Sequence, residues 1–273
     1  MTHLVFGASG QVGRFLLPRL VARGADVCAV SRDAHADADG VRWRQGTLPD
    51  AVPVPRGAAA LVSLGPVHHF VSWLERATFD GRPRVVALSS MSADSKRASP
   101  DPAERAIAGV LADAERRLAA RCEALGLAWT VLRPTLIYGA GSDKSITPLA
   151  RRAARWHAFP LPAAAGLRQP VHADDLALAV LAALDRPESA GRVLAFGGGE
   201  RLTAAAMFAR VRASVPTWTL PLFVPAWAQR VAAAMLPRLR GPLSRLQSDL
   251  IADNAEAERL LGVRPRGFRP PAP

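Results

Sequence analysis

Two stretches near the start of the chain decide its fold: His3-Leu4-Val5-Phe6-Gly7-Ala8-Ser9-Gly10-Gln11-Val12-Gly13, and Asp26-Val27-Cys28-Ala29-Val30-Ser31-Arg32. The first opens with a short apolar run that reads as a buried strand. The glycine-rich turn Gly7 to Gly13 follows. A helix is then expected from about Gly10 to Arg23, where Phe15, Leu16, Leu20 and Val21 recur at helical spacing. The second stretch is another apolar strand. Strand, glycine turn, helix and strand in this order form the βαβ unit that holds a dinucleotide. Gly7 permits the tight turn, Gly10 lets backbone approach a pyrophosphate, and Gly13 lets helix and strand pack closely. The helix N-terminus offers unpaired N–H groups to phosphate. A glycine-rich turn that binds nothing is the alternative.

The end of the second strand bears on which cofactor is taken. An acidic residue there would hold ribose hydroxyls, but Ser31-Arg32 occupy the place, with Asp33 one step on. A guanidinium makes charge-assisted, bidentate bonds to phosphate, so NADP(H) is favoured over NAD(H). A solvated surface charge is the other reading of Arg32.

Working outward, further strands are expected at 41–45, 58–64, 84–90 and 127–132. Helices are expected at about 67–79 and 102–125, the latter carrying Ile107, Leu111, Leu118 and Cys122 on one face. Alternating strands and helices predict an α/β, doubly wound parallel sheet of Rossmann type, with right-handed crossovers. Its ligand lies at the carboxyl ends of the strands. That rule selects as cofactor-binding candidates Gly7, Ala8, Ser9, Gly10, Gln11, Val12, Gly13, Ser31, Arg32, Thr47, Leu48, Leu64, Gly65, Ser89 and Pro134. Beyond Arg133 the alternation weakens. Short strands are expected at 169–172 and 192–196, with helices at 175–184, capped by Asp174, and from Thr203 to about Ala213. No internal repeat exists beyond the βα alternation. The expected division is a dinucleotide-binding domain (1–138 and 167–198) and a small, mainly helical lobe (139–166 and 199–273). In the lobe, Trp156, Phe159, Trp218, Phe223 and Trp227 are expected mostly to pack its interior. The helix with Trp227, Arg230, Val231, Met235, Arg238 and Arg240 is basic and apolar, yet dominated by alanine.

Composition bounds the rest. The chain has 273 residues, 49% of them hydrophobic, and a formal net charge of +12 from 35 basic and 23 acidic residues. All but Lys96 and Lys144 of the basic residues are arginine, scattered without a nucleic-acid motif, so nucleic acid is not the expected partner. Cys28 and Cys122 sit in core elements and the six histidines lack ligand spacing, which predicts reduced thiols and no metal site. The chain starts directly with a strand and has no apolar run of membrane-spanning length, so a cytoplasmic protein without a membrane span is expected.

Several segments, in order, resemble the extended and atypical short-chain dehydrogenase/reductases, the group of nucleotide-sugar epimerases and dehydratases. Gly7 to Gly13 is similar to that family's phosphate loop. Leu88-Ser89-Ser90 resembles the strand end bearing its catalytic serine. Arg133-Pro134-Thr135-Leu136-Ile137-Tyr138-Gly139 and Pro170-Val171-His172-Ala173-Asp174-Asp175-Leu176-Ala177 are similar to two later family segments, and Leu260-Leu261-Gly262-Val263-Arg264-Pro265 to a C-terminal one. The resemblance implies an NAD(P)-dependent oxidoreductase or epimerase-like enzyme, a small-molecule substrate and a homodimer built on a helical bundle. It breaks at one point. The family's Tyr-x-x-x-Lys pair, in which Lys lowers the Tyr pKa, falls at about Ile107 and Leu111, neither of which moves a proton. Ser95-Lys96 imitates a Ser-Lys pair but stands too close behind the fifth strand. Ser89, Ser90 and Tyr138 are the catalytic candidates left, with His172 a structural residue or a weaker candidate. Three readings follow: a reductase with non-standard or weak catalysis, an inactive cofactor-binding redox sensor or assembly factor, or a scaffold that has lost the cofactor too.

Overall fold

The structure is a computed structural model and describes every residue except 39, 144, 237–240, 242 and 273. Seven strands form one sheet: β1 (Thr2–Phe6), β2 (Asp26–Ser31), β3 (Val41–Gln45), β4 (Ala58–Ser63), β5 (Arg84–Leu88), β6 (Trp129–Pro134) and, after several lobe elements, the strand Arg192–Phe196. All six pairings are parallel. From one edge the order is Arg192–Phe196, β6, β5, β4, β1, β2, β3, the doubly wound Rossmann arrangement expected from the sequence. The chain reverses direction across the sheet between β1 and β4, and that is where such folds open a crevice.

Strand periodicity explains the two layers. Val5, Val27 and Ala29 point to one face, against α1 (Gly13–Ala22) and the helix Ala173–Asp185. Leu4, Phe6, Cys28 and Val30 point to the other, against α2 (Val67–Leu74) and the 23-residue helix Pro102–Ala124. Period-2 alternation thus divides each strand between two apolar cores. Numbered in chain order, α3 (Ser92–Ser95) is a single turn, α4 is Pro102–Ala124, α5 is Ile146–Trp156 and α6 is Ala173–Asp185. Cys28 and Cys122 are both free and buried, and burial pushes the Cys122 thiol up to about 12.

The expected face of α4 is only partly right. Leu118 and Cys122 are buried and Leu111 is half-buried, but Ile107 is 45% exposed. The reason is length: α2, with eight residues, spans about 12 Å, against about 35 Å for α4. The first turns of α4 therefore extend beyond the helix that covers the rest.

The lobe contains α5, β8 (Ala158–Pro162), α7 (Ala204–Ala213), β13 (Leu220–Val224) and α8 (Ala226–Met235), with a separate apolar core around Phe159, Met207 and Val211. Short strand pairs tie it together: β7 (Ile137–Tyr138) with β10 (Val171–His172), β9 (Leu167–Arg168) with β12 (Leu202–Thr203), and β8 with β13. Three expectations differ here. Residues 199–273 do not stay in the lobe, because α9 (Ala255–Leu261) returns to the sheet and buries Ala257, Leu260 and Leu261 in the α1–α6 core. Tyr138 packs in the lobe core rather than in the dinucleotide-binding domain. Of the aromatics expected inside the lobe, Phe159 is buried, whereas Trp156, Trp218, Phe223 and Trp227 are exposed. Arg238 and Arg240 lie outside the described residues.

Candidate functional site

The glycine loop joins β1 to α1 at the point where the sheet order reverses. Gly7 has φ +68°, and a Cβ on it would stand 3.1 Å from the Gly65 nitrogen at the end of β4. The two strand ends thus meet, which places Leu64 and Gly65 beside the loop. A Cβ on Gly13 would lie 1.9 Å from the Ala8 carbonyl oxygen, so only glycine lets α1 start this close. Gly10 is different: its Cβ would meet only the Gly7 oxygen, at 3.0 Å. The space in front of Gly10 is open, as close approach of a ligand requires.

Several polar groups around this space want a partner. Among the described residues, no acceptor meets the backbone N–H groups of Gln11 and Val12. The Gln11 Oε1 and Ser63 Oγ atoms are buried and unpaired. Buried polar atoms rarely stay unsatisfied, and unpaired amides at the start of a helix fit a phosphate. The residues present therefore fit a dinucleotide: Gly7 to Gly13 as pyrophosphate cradle, with Ser9 and Ser31 beyond. Ser9 and Ser31 share a hydrogen bond of 2.9 Å, and the His35 ring approaches the same Ser31 hydroxyl at 3.2 Å. Arg32 is exposed. Its carbonyl accepts from Gln45 Nε2, and no described ion pair engages its guanidinium. Thr47 and Leu48 lie just past β3, adjacent to Ser31 through the Gly46 N–H to Ser31 carbonyl bond of 2.9 Å.

At the other end of the crevice, β5 and β6 bring Ser89 and Pro134 together through the Ser89 N–H to Leu132 and Met91 N–H to Pro134 carbonyl bonds. The Ser89 hydroxyl donates to Glu115 Oε1. Glu115 is buried on α4 and receives Arg133 side-on, with Nε at 2.9 and 3.1 Å from its two oxygens. Arg133 also reaches Asp94 at 2.6 Å. The Glu115 hydrogen bond leads the effects that hold the Arg133 guanidinium above its ordinary value. Ser89 is thus the end of a closed ionic network. Ser90 accepts from the Ser92 N–H at 3.1 Å and is half-buried; it donates to no described acceptor. The positions at which the resemblance places tyrosine and lysine hold the exposed Ile107 and half-buried Leu111. Lys96 stands 3.4 Å from buried Glu104, which also accepts from Ser99 at 3.0 Å.

The structure sets Tyr138 apart from the crevice as a proton donor. Its side chain is fully buried, burial pushes its hydroxyl pKa up, and that hydroxyl accepts from the Arg269 N–H at 3.1 Å. Its ring meets His172 and Phe268 edge to face. His172, not Asp174, caps α6: its Nδ1 accepts from the Asp174 N–H at 3.1 Å, which requires the neutral ring that burial favours. Asp174 and Asp175 instead bind Arg266, at 2.8 and 2.7 Å. These segments hold the C-terminal tail. Glu115, the partner of Ser89, is a lone Glu on a charged helix and carries no signal in the sequence. Gly197-Gly198-Gly199 follows directly on the strand Arg192–Phe196. In the structure, Cβ atoms there would strike Gln169, Pro170 and Pro265, so the triplet is a crossing point of three segments.

Comparison with known proteins fits this geometry. A family model described as NAD(P)H-binding matches residues 7–187. A UDP-glucose 4-epimerase from Vibrio cholerae is 25% identical over 158 residues, 56% of this chain and 47% of that protein. The chain thus covers about half the length of this curated relative. Among solved structures, MoeE5 in complex with UDP-glucuronic acid and NAD superposes with a TM-score of 0.73 at 20% identity, covering 98% of this chain and 95% of that one. The UDP-glucose 4-epimerase of Thermotoga maritima gives 0.70 at 17% identity, covering 97% and 94%. These likenesses show the fold, an epimerase-like Rossmann architecture over nearly the whole chain. With the glycine loop, the crevice and the unpaired polar groups inside the matched segment, the chain belongs to the NAD(P)H-binding family.

Proposed function

We propose that this chain is an epimerase-like protein that binds NADP(H) in preference to NAD(H) and turns it over weakly or not at all, acting as a cofactor-dependent sensor or assembly factor. One observation carries the reading: the Ser89 hydroxyl is committed to buried Glu115 while Ile107 and Leu111 stand where a tyrosine and a lysine would work. Bound NADP(H) would supply hydride chemistry. The residues of the chain would bind and orient it, with the amides of Gln11 and Val12 toward phosphate and the Arg32 guanidinium toward a 2′-phosphate. Binding needs only fixed donors and charge, whereas losing a proton donor typically costs ~10²–10⁴ in rate. A second reading, a weak oxidoreductase, rests on Ser90, whose half-buried hydroxyl still has a proton to give.

Fluorescence titration of the purified protein with NADPH and NADH tests the binding half. Micromolar NADPH affinity, clearly tighter than NADH, is expected. Arg32→Glu should weaken NADPH by about tenfold or more and spare NADH. Equal loss of both would sink the 2′-phosphate assignment. Turnover is read as NADPH oxidation with carbonyl and quinone acceptors, and with UDP-glucose and UDP-glucuronic acid, which its structural relatives bind. Robust turnover that Ser90→Ala abolishes would replace the sensor reading with the enzyme reading.

A further inference from the structure

The net charge of this protein is confined to part of its sequence. Residues 144–173 and 201–248 contain twelve basic side chains and no acidic one, and the rest of the chain contains twenty-three of each. The whole formal charge of +12 therefore belongs to these two segments, which build the lobe. The same lobe carries the largest exposed apolar side chains. Trp156 ends α5, and Trp218, Leu220, Leu222 and Phe223 lead into and form β13. Trp227, Val231 and Met235 lie on α8 at i, i+4 and i+8, followed by Leu236. Phe223 is 77% exposed, Met235 75% and Trp218 71%. These elements adjoin. Leu220 N–H donates to the His157 carbonyl at 2.8 Å, and Gln229 fixes α8 by donating to the Ala163 and Val224 carbonyls at 3.0 and 2.9 Å. Arg152, Arg155 and Arg230 are exposed on the same elements.

An ordinary surface helix turns its apolar stripe inward. Here α8 buries Gln229, half-buries Ala228, Ala232 and Ala233, and turns tryptophan, valine and methionine out. From this we infer that the arm formed by the end of α5, β13 and α8 is a docking surface for an anionic lipid bilayer, with the protein bound peripherally. Tryptophan at the headgroup level, aliphatic side chains in the acyl boundary and arginines toward anionic headgroups are what such an interface requires. Charge argues against a second copy, because pairing this face with itself would bring together two acid-free surfaces. Nucleic acid would suit the charge and the tryptophans. It gives no partner to Leu220, Leu222, Val231, Met235 and Leu236, which have no ring to stack on a base and belong in a hydrocarbon boundary. Among the described residues no helix is long and apolar enough to cross a membrane, so the contact is interfacial. The inference stands apart from the cofactor reading and rests on different residues.

The test is co-sedimentation of the full chain with vesicles of phosphatidylcholine, alone or mixed with phosphatidylglycerol. Binding to the mixed vesicles should be at least about tenfold tighter and should weaken with added salt. Bromine-labelled acyl chains should quench the tryptophan fluorescence. The triple variant Phe223→Ser, Trp227→Ser, Met235→Ser should lose binding to the mixed vesicles, and Arg230→Glu should weaken it by about tenfold. All these side chains are exposed, so circular dichroism and NADPH titration should match those of the unaltered protein. Three results overturn the inference: no preference for anionic vesicles, binding unaffected by the triple variant, or self-association or duplex-DNA binding that the triple variant abolishes while vesicle binding is absent.

Discussion

Two alanine substitutions three residues apart in the glycine loop should fail in opposite ways. In Gly13→Ala the new methyl would lie 1.9 Å from the Ala8 carbonyl oxygen and 2.6 Å from its carbon, both backbone atoms that cannot swing aside. Real contacts of this kind are rarely below about 3 Å, so α1 or the loop must shift by about 1 Å. Overpacking of a tight site costs about 1–3 kcal/mol, more where backbone must move. At about 2–4 °C per kcal/mol for a chain of this size, the melting temperature should fall by about 5 °C or more. In Gly10→Ala the methyl touches only the Gly7 oxygen, at 3.0 Å, and otherwise points into open space. Its melting temperature should move by no more than about 2 °C, yet NADPH affinity should fall by at least about tenfold, because the methyl occupies the volume a pyrophosphate would take. Differential scanning fluorimetry with and without NADPH reads both at once. The unaltered protein and Gly13→Ala, if folded, should gain stability with cofactor, and Gly10→Ala should not. If Gly10→Ala binds NADPH normally, the loop is not the phosphate cradle, and the placement of the cofactor fails.

Three other expectations follow from buried polar groups. Glu115→Gln leaves the Arg133 guanidinium without its principal buried counter-charge and should cost about 3 kcal/mol in urea denaturation; a cost below about 1 kcal/mol would mean that Asp94 suffices. Tyr138→Phe removes one hydroxyl that accepts from Arg269 and should cost about 1 kcal/mol while leaving NADPH affinity and any turnover unchanged; loss of turnover would restore Tyr138 as a catalytic residue. Asp143 accepts from the Ser145, Ile146 and Thr147 N–H groups at the start of α5. Burial alone would raise its pKa, but these bonds and that from the Thr147 hydroxyl outweigh it and hold the carboxyl below its ordinary value. A depressed folded value means that the stabilisation is complete above the unfolded value near ~4 and is lost as pH falls through the folded one. Asp143→Ala should therefore cost about 1–2 kcal/mol at pH 7, and the difference from the unaltered protein should vanish only in strong acid.

What the sequence revealed and what it hid follow from how each feature is encoded. Strand and helix order was legible because it is written locally, in the alternation of Leu4, Val5 and Phe6 across two cores and in the spacing of Leu16 and Leu20. The phosphate loop was legible because Gly7 and Gly13 have steric reasons to be glycine that lie within a few residues. The network of Ser89, Glu115, Arg133 and Asp94 was not legible, because its members come from four elements and none is unusual alone. The exposed aromatics of the lobe were misread for a related reason. A tryptophan in a sequence gives its hydrophobicity but not the side on which the fold leaves it, just as β13 leaves Leu220, Leu222 and Phe223 exposed and half-buries Pro221 and Val224.

The segments that mark the epimerase-like resemblance serve, in this chain, to hold the structure together. Tyr138 and Phe268 clasp the tail to the lobe, and His172 caps α6 while its ring occupies the space a Cβ on Gly139 would need. Asp174 and Asp175 grip Arg266, and Arg133 neutralises the carboxylate beneath Ser89. Each has a structural reason to be present that does not depend on chemistry at a bound ligand. Their presence is therefore good evidence for the fold and weak evidence for turnover. The residues that would argue for turnover are those with no structural reason to be polar, and the two positions where the resemblance implies tyrosine and lysine hold the exposed Ile107 and the half-buried Leu111, neither of which moves a proton. A glycine loop shaped for phosphate beside two positions that cannot move a proton is why cofactor binding without efficient turnover is the function to test first.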